Sequence, residues 1–175
     1  MRVLPSPVAV RLVAIRLVAI GLAAVAAFGL TGCTSTVDLD PAESANDPLC
    51  AEITSNLPGT VSDQPRRWTD AQATGAWGEP AKVLLTCGVE APGPTTLRCE
   101  TVAGVDWIID DSDAPRFRLT TFGRTPAVEI YLDTTADDDG EGASSRDVLD
   151  ALSPIVSVLP VDGQCLERVD ATPAP

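Results

Sequence analysis

The side chains with most chemical potential in this chain are five cysteines, 25 acidic residues and three tryptophans; histidine is absent. Without an imidazole, Ser–His and Cys–His nucleophilic catalysis and histidine metal sites are excluded. A thiol can serve as a nucleophile, a metal ligand, a redox couple or half of a disulfide. Cys33, Cys50, Cys87, Cys99 and Cys165 contain no Cys-x-x-Cys spacing, which argues against a thioredoxin-like centre, and a zinc site would have to be built from four thiols alone. Carboxylate pairs such as Asp106 with Asp110, or Glu79 with Asp106, have the chemistry of an acid and a base acting on a glycan, but the sequence fixes no separation between them. The acidic run at 137–141, DDDGE, offers oxygen ligands to a hard cation. Aligned on Gly140 as a calcium loop it needs acids at 135 and 146, where Thr135 and Arg146 stand. A solvated loop is the simpler reading, so no metal, cofactor or catalytic residue is assigned.

Trp68, Trp77 and Trp107 are the candidates for a binding surface, because aromatic faces stack on sugar rings and other flat ligands. Arg67 and Arg124, together with Arg66 and Asp106, could supply polar recognition beside them. The competing reading puts Trp77 and Trp107 in the core, since Trp107 shares a strand face with Val105 and Ile109.

The N-terminus says where these residues work. Residues 1–16 carry three arginines and no acid, and 17–30, LVAIGLAAVAAFGL, is uncharged and apolar. That is the basic and hydrophobic part of a secretory signal, and the run is shorter than the roughly 18–20 residues a permanent transmembrane helix requires. Leu30-Thr31-Gly32-Cys33 closes it and resembles the lipobox of bacterial lipoproteins. The resemblance implies a diacylglyceryl group on the Cys33 thiol, cleavage before Cys33, and residence on the outer face of the cytoplasmic membrane, anchored by two or more acyl chains. Residues 1–32 are then a discarded signal peptide. The mature chain keeps nine basic residues against 25 acidic ones, a net charge of −16. Such a balance disfavours nucleic acid as a partner, since phosphate affinity comes from clustered Lys and Arg. The partners expected are the membrane, through the lipid, and an envelope protein or a cell-wall component. Oligomeric state is not legible.

The four remaining cysteines suit disulfides in an oxidising compartment, with three connectivities open. Val83, Leu85, Cys87 and Val89 alternate on one strand face, and Leu97, Cys99 and Thr101 do so beyond Pro92-Gly93-Pro94. A hairpin symmetric about Gly93 sets Cys87 opposite Cys99, which favours Cys87–Cys99 and, by elimination, Cys50–Cys165.

Residues 33–46 read as the lipidated cysteine and a flexible tether, 47–168 as a single domain, and 169–175 as a disordered tail. Asp47-Pro48 is a cap-and-proline start for a helix carrying Leu49, Cys50, Ile53 and Leu57, which stops at Pro58-Gly59. Between about 66 and 132, short runs with partial alternation are separated by Gly-, Pro- and Asp-rich joints, as in an antiparallel sheet covered on one face. Ser144 and Asp147 signal the cap of a last helix with Val148, Leu152, Ile155 and Leu159 in register, and Pro154 should kink or restart it. The expected fold is α+β: about 4–6 short antiparallel strands with an N-terminal and a C-terminal helix on one face, stapled by disulfides.

The order Arg67-Trp68-Thr69, Ala76-Trp77-Gly78-Glu79-Pro80-Ala81, Cys87-Gly88-Val89, Cys99, Gly104-Val105-Asp106-Trp107 and Phe122-Gly123-Arg124 resembles an actinobacterial family of exported proteins known as a domain of unknown function. The resemblance spans roughly 47–160 and implies neither an activity nor catalytic residues. The expected function is therefore a non-catalytic binding or accessory domain in the cell envelope. The alternatives are a wall-acting enzyme using carboxylates and a purely structural envelope protein.

Overall fold

The computed structural model describes residues 35–136 and 142–166. Its first helix, α1 (Pro48–Ser55), begins where Asp47 Oδ1 accepts from the Leu49 amide at 2.8 Å, with Pro48 in the first turn, where a missing N–H is harmless. Strands β1 (Thr60–Val61), β2 (Gln64–Arg67), β3 (Thr74–Trp77) and β4 (Val83–Val89) follow, then β5 (Arg98–Val102), β6 (Val105–Asp113), β7 (Arg116–Thr121) and β8 (Ala127–Asp133). Helix α2 (Ser145–Val156) closes the fold. The Ser144 hydroxyl caps it by accepting from the Asp147 amide, and the helix runs through Pro154 without ending there.

All eight strands form one antiparallel sheet in the order β1-β2-β3-β4-β8-β7-β6-β5. The sheet is thus larger than the expected 4–6 strands, because β1 to β3 are two to four residues long and carry no alternation to betray them. Laterally paired residues share a face. The row Leu85, Ile130, Leu119, Ile109 is paired across β4, β8, β7 and β6 and is buried throughout. Cys87, two residues beyond Leu85, is bonded to Cys50 of α1; Trp107, two residues before Ile109, donates its indole N–H to Ser153 of α2 at 3.0 Å. Both helices therefore cover the same face. Val148, Leu149, Leu152 and Val156 of α2 and Ile53 of α1 complete that core, and each such aliphatic side chain contributes roughly 1.5–3 kcal/mol on full burial.

The disulfides are Cys50–Cys87 and Cys99–Cys165, with Cα separations of 5.5 and 6.0 Å, which corrects the expected Cys87–Cys99 and Cys50–Cys165. There is no hairpin at Pro92-Gly93-Pro94. Residues 90–97 instead carry the chain from β4 to the far edge at β5, past β8, β7 and β6. Four strand spacings are about 19 Å, and nine residue steps can reach about 30 Å, so the link suffices. Cys87 and Cys99 also point to opposite faces: Cys99 pairs in line with Ile108, Thr120, Glu129 and Thr86, the neighbour of Cys87.

Residues 35–46, expected as a tether, lie against the domain. Ala45 is buried, the Ser44 amide donates to Gly88 O at 3.1 Å, and Gln72 Nε2 donates to Ala45 O at 3.3 Å. Gly88 has φ 96°, and a Cβ there would run into the backbone of Ser44 and Ala45. Glycine at 88 is what lets the N-terminal segment approach β4.

Candidate functional site

The tryptophans divide. Trp77 and Trp107 are fully buried, and their indole N–H groups are spent inside, on Pro58 O and Ser153 Oγ, each at 3.0 Å. They are core residues, as the competing reading of the sequence had them, and so leave the candidate binding surface. Trp68 is 78% exposed. It follows β2 directly, and its carbonyl accepts from the Val37 amide at 2.8 Å.

The arginines serve the fold. Arg67 pairs with Glu79, donates to Gly78 O at 3.0 Å, and reaches Ser35 O at 2.6 Å and Ser35 Oγ at 2.9 Å. Arg66 donates to Leu57 O and Thr54 O. Arg124 is 4% exposed and donates to Leu159 O at 2.5 Å, Gly104 O at 2.8 Å and Ser157 O at 3.2 Å. One guanidinium thus ties the β5–β6 turn to the end of α2. Buried charge of this kind is stable only when its donors are matched, as they are here.

Asp106 accepts from Thr101 Oγ1 at 2.6 Å and from the Cys165 amide at 2.7 Å. It pins the C-terminal segment 161–166 to the sheet face opposite the helices, beside the Cys99–Cys165 disulfide. Asp110 lies four residues along the same strand, roughly 13 Å away, beyond the roughly 5–9.5 Å that carboxylate pairs in glycosidases span. Its carboxyl is held below the ordinary aspartate value, chiefly by hydrogen bonds from Ser112. Glu79 belongs to the Arg67 pair at the other end of the sheet. Trp68 and Arg67 on one side and Asp106 and Arg124 on the other therefore do not make one surface, since β3, β4, β8 and β7 separate β2 from β6.

What the structure does build is a cleft of about 1230 Å³ between β5, the 94–97 stretch and the C-terminal segment. Its apolar lining is Leu97, Ile108, Phe122, Val161 and Leu166, of which Leu97, Val161 and Leu166 are 42%, 66% and 92% exposed. Thr101, Gln164 and Arg98 supply polar groups at its wall. The segment that forms one side is held by Asp162 N to Gly123 O at 2.8 Å, by Asp106 and by the disulfide. Gly123, at φ 60°, lets Gly163 pass where any Cβ would collide. Sequence reasoning missed this cleft because 161–166 has no periodicity; its one signal was Cys165, which needed a partner.

Among the described residues no group of three or more His, Cys, Asp or Glu side chains could hold a metal ion, and no helix is long and apolar enough to cross a membrane. The acidic run at 137–141 and Cys33 lie outside the described residues.

A model of the family described as Protein of unknown function (DUF3515) matches residues 8–160, and the chain belongs to that family. Neither the curated proteins nor the solved structures give a significant match.

Proposed function

We propose that this protein is an extracytoplasmic lipoprotein, held on the outer face of the cytoplasmic membrane by an acylated Cys33, whose folded domain binds a component of the cell envelope without transforming it. The observation that carries the location is the division of the cysteines. Four are consumed in two disulfides, which persist in oxidising compartments. The fifth ends an apolar leader in the sequence Leu30-Thr31-Gly32-Cys33.

The binding role rests on the cleft at β5. Exposed Leu97, Val161 and Leu166 form an apolar patch flanked by a few hydrogen-bonding groups, the usual make-up of a recognition site. The sites at Asp106 and Arg124 are spent on holding the cleft wall, so a ligand would meet the wall they shape and not their charges. Two arms test the reading. Cys33→Ala protein should leave the membrane on washing; retention contradicts the anchor. Thermal unfolding with increasing muropeptide should show a saturable rise that Leu97→Asp abolishes. No rise, or a rise unchanged in the variant, contradicts binding of wall fragments at the cleft.

A further inference from the structure

We propose that the edge of the domain where the N-terminal segment meets Trp68, just after β2, is a membrane-contact surface, with its indole seated in the headgroup layer of the bilayer that holds Cys33; this rests on the lipid anchor of the preceding reading. Two independent observations lead there. The first is Trp68 itself. It is 78% exposed while the other two tryptophans are fully buried with paired N–H groups. An indole is part apolar body and part hydrogen-bond donor, and it is most at home where hydrocarbon gives way to water.

The second is how the chain enters the domain. Ser35 O and Oγ are held by Arg67, the Val37 amide donates to Trp68 O, the Asp70 amide donates to Val37 O at 3.3 Å, and the Leu39 amide donates to Asp70 Oδ1 at 3.0 Å. Ser35, two residues after Cys33, is thus already attached to the domain. Two residues span at most about 7 Å and the four to Val37 at most about 14 Å, while the headgroup layer on one side of a bilayer is roughly 5–8 Å thick. A Cys33 whose acyl chains lie in hydrocarbon brings Ser35 to that layer, and Trp68, bonded to the same segment, comes with it. A link this short also restricts rotation of the edge away from the surface. The exposed charges beside Trp68 are acidic, Asp38, Asp40 and Asp70, while Arg67 is paired with Glu79, so an anionic lipid surface would be repelled. The surface it fits is therefore zwitterionic lipid, which the indole enters without help from basic side chains.

The test uses the full-length protein, processed and purified from bacterial membranes and returned to phosphatidylcholine vesicles with ordinary or brominated acyl chains. Wild-type protein should float with both vesicles and lose tryptophan emission only in the brominated ones. Trp68→Phe should float equally, and its remaining emission, from buried Trp77 and Trp107, should be the same in both vesicles and confirm an intact core. Wild-type protein that floats with undiminished emission in brominated vesicles overturns the contact surface while leaving the anchor standing. Quenching that persists in Trp68→Phe overturns it as well, since another tryptophan would be meeting the lipid. Failure of wild-type protein to float overturns both.

Discussion

Asp106 shows how much one side chain can fix. Its two oxygens satisfy Thr101 and the Cys165 amide from opposite sides of the cleft wall. Replacing it with alanine strips both partners at a part-buried site, so Asp106→Ala should lower stability by about 1–3 kcal/mol in chemical denaturation. Asp106→Asn, which keeps one acceptor oxygen, should lose less. Equal losses would show that charge, not hydrogen bonding, is what matters there. Asp133 gives a pH signature. Its carboxyl is held below its ordinary value of 3.8 by the hydrogen bond from the Thr135 side chain first, then by the Thr135 amide at 2.8 Å and by Lys82 and Arg116, against a smaller opposing effect of burial. A depressed folded-state value means that the folded protein holds the ionised form more tightly than the unfolded chain does. The stabilisation is present above the unfolded value and disappears as pH falls through the folded one. Asp133→Asn should therefore be less stable than wild type at neutral pH, with the two denaturation midpoints converging in strong acid. A gap that widened in acid would contradict this.

At the level of elements, the two helices were legible because local chemistry specifies them: Asp47 and Ser144 cap them and their apolar stripes are regular. Strands β4, β6 and β8 were legible for the same reason, as seven to nine residues with apolar alternation. Sheet order was not. Alternation marks the face of a strand but not its neighbour, and Pro92-Gly93-Pro94 serves a crossover as readily as a turn. The disulfide error followed directly from that ambiguity. Residues 35–46 were read as a tether because polar, aperiodic sequence does not reveal that its backbone amides find acceptors in Gly88, Trp68 and Asp70. The observed pairing carries an energetic consequence. Cys99–Cys165 closes 66 residues, and in the loop-entropy account a closure of that length stabilises by about 4 kcal/mol. The Cys99→Ser/Cys165→Ser double variant should lose stability on that scale in guanidinium denaturation, and proteolysis should cut near 161–166 first, since the segment is then tied only by hydrogen bonds to Asp106, Gly123 and Thr125 and by the Arg124–Val161 bridge. A loss below about 1 kcal/mol would mean that those ties hold the segment without the bridge.

At the scale of the molecule, the domain has different features on its different sides. One sheet face is filled by two helices, the opposite face carries the cleft at β5, and residues 67–70 at the end of β2 receive the N-terminal segment. The candidate residues fall on all three, which is why Trp77, Trp107, Arg124 and Arg67 hold the fold together while Trp68, alone among the tryptophans, is open to its surroundings. Residue type marked them as valuable; only three-dimensional placement separates a buried indole from an exposed one. The proposed removal of residues 1–32 would leave a net charge of −16, which predicts little about a specific partner. The proposed location, the proposed lipid anchor and the proposed contact of Trp68 all depend on the fate of Cys33. The most direct measurement is mass spectrometry of the N-terminal peptide of the protein extracted from the membranes of its own cells. The expected result is a peptide that begins at Cys33 and carries a diacylglyceryl group; a chain that begins elsewhere, or a Cys33 with an unmodified thiol, would overturn the lipid anchor.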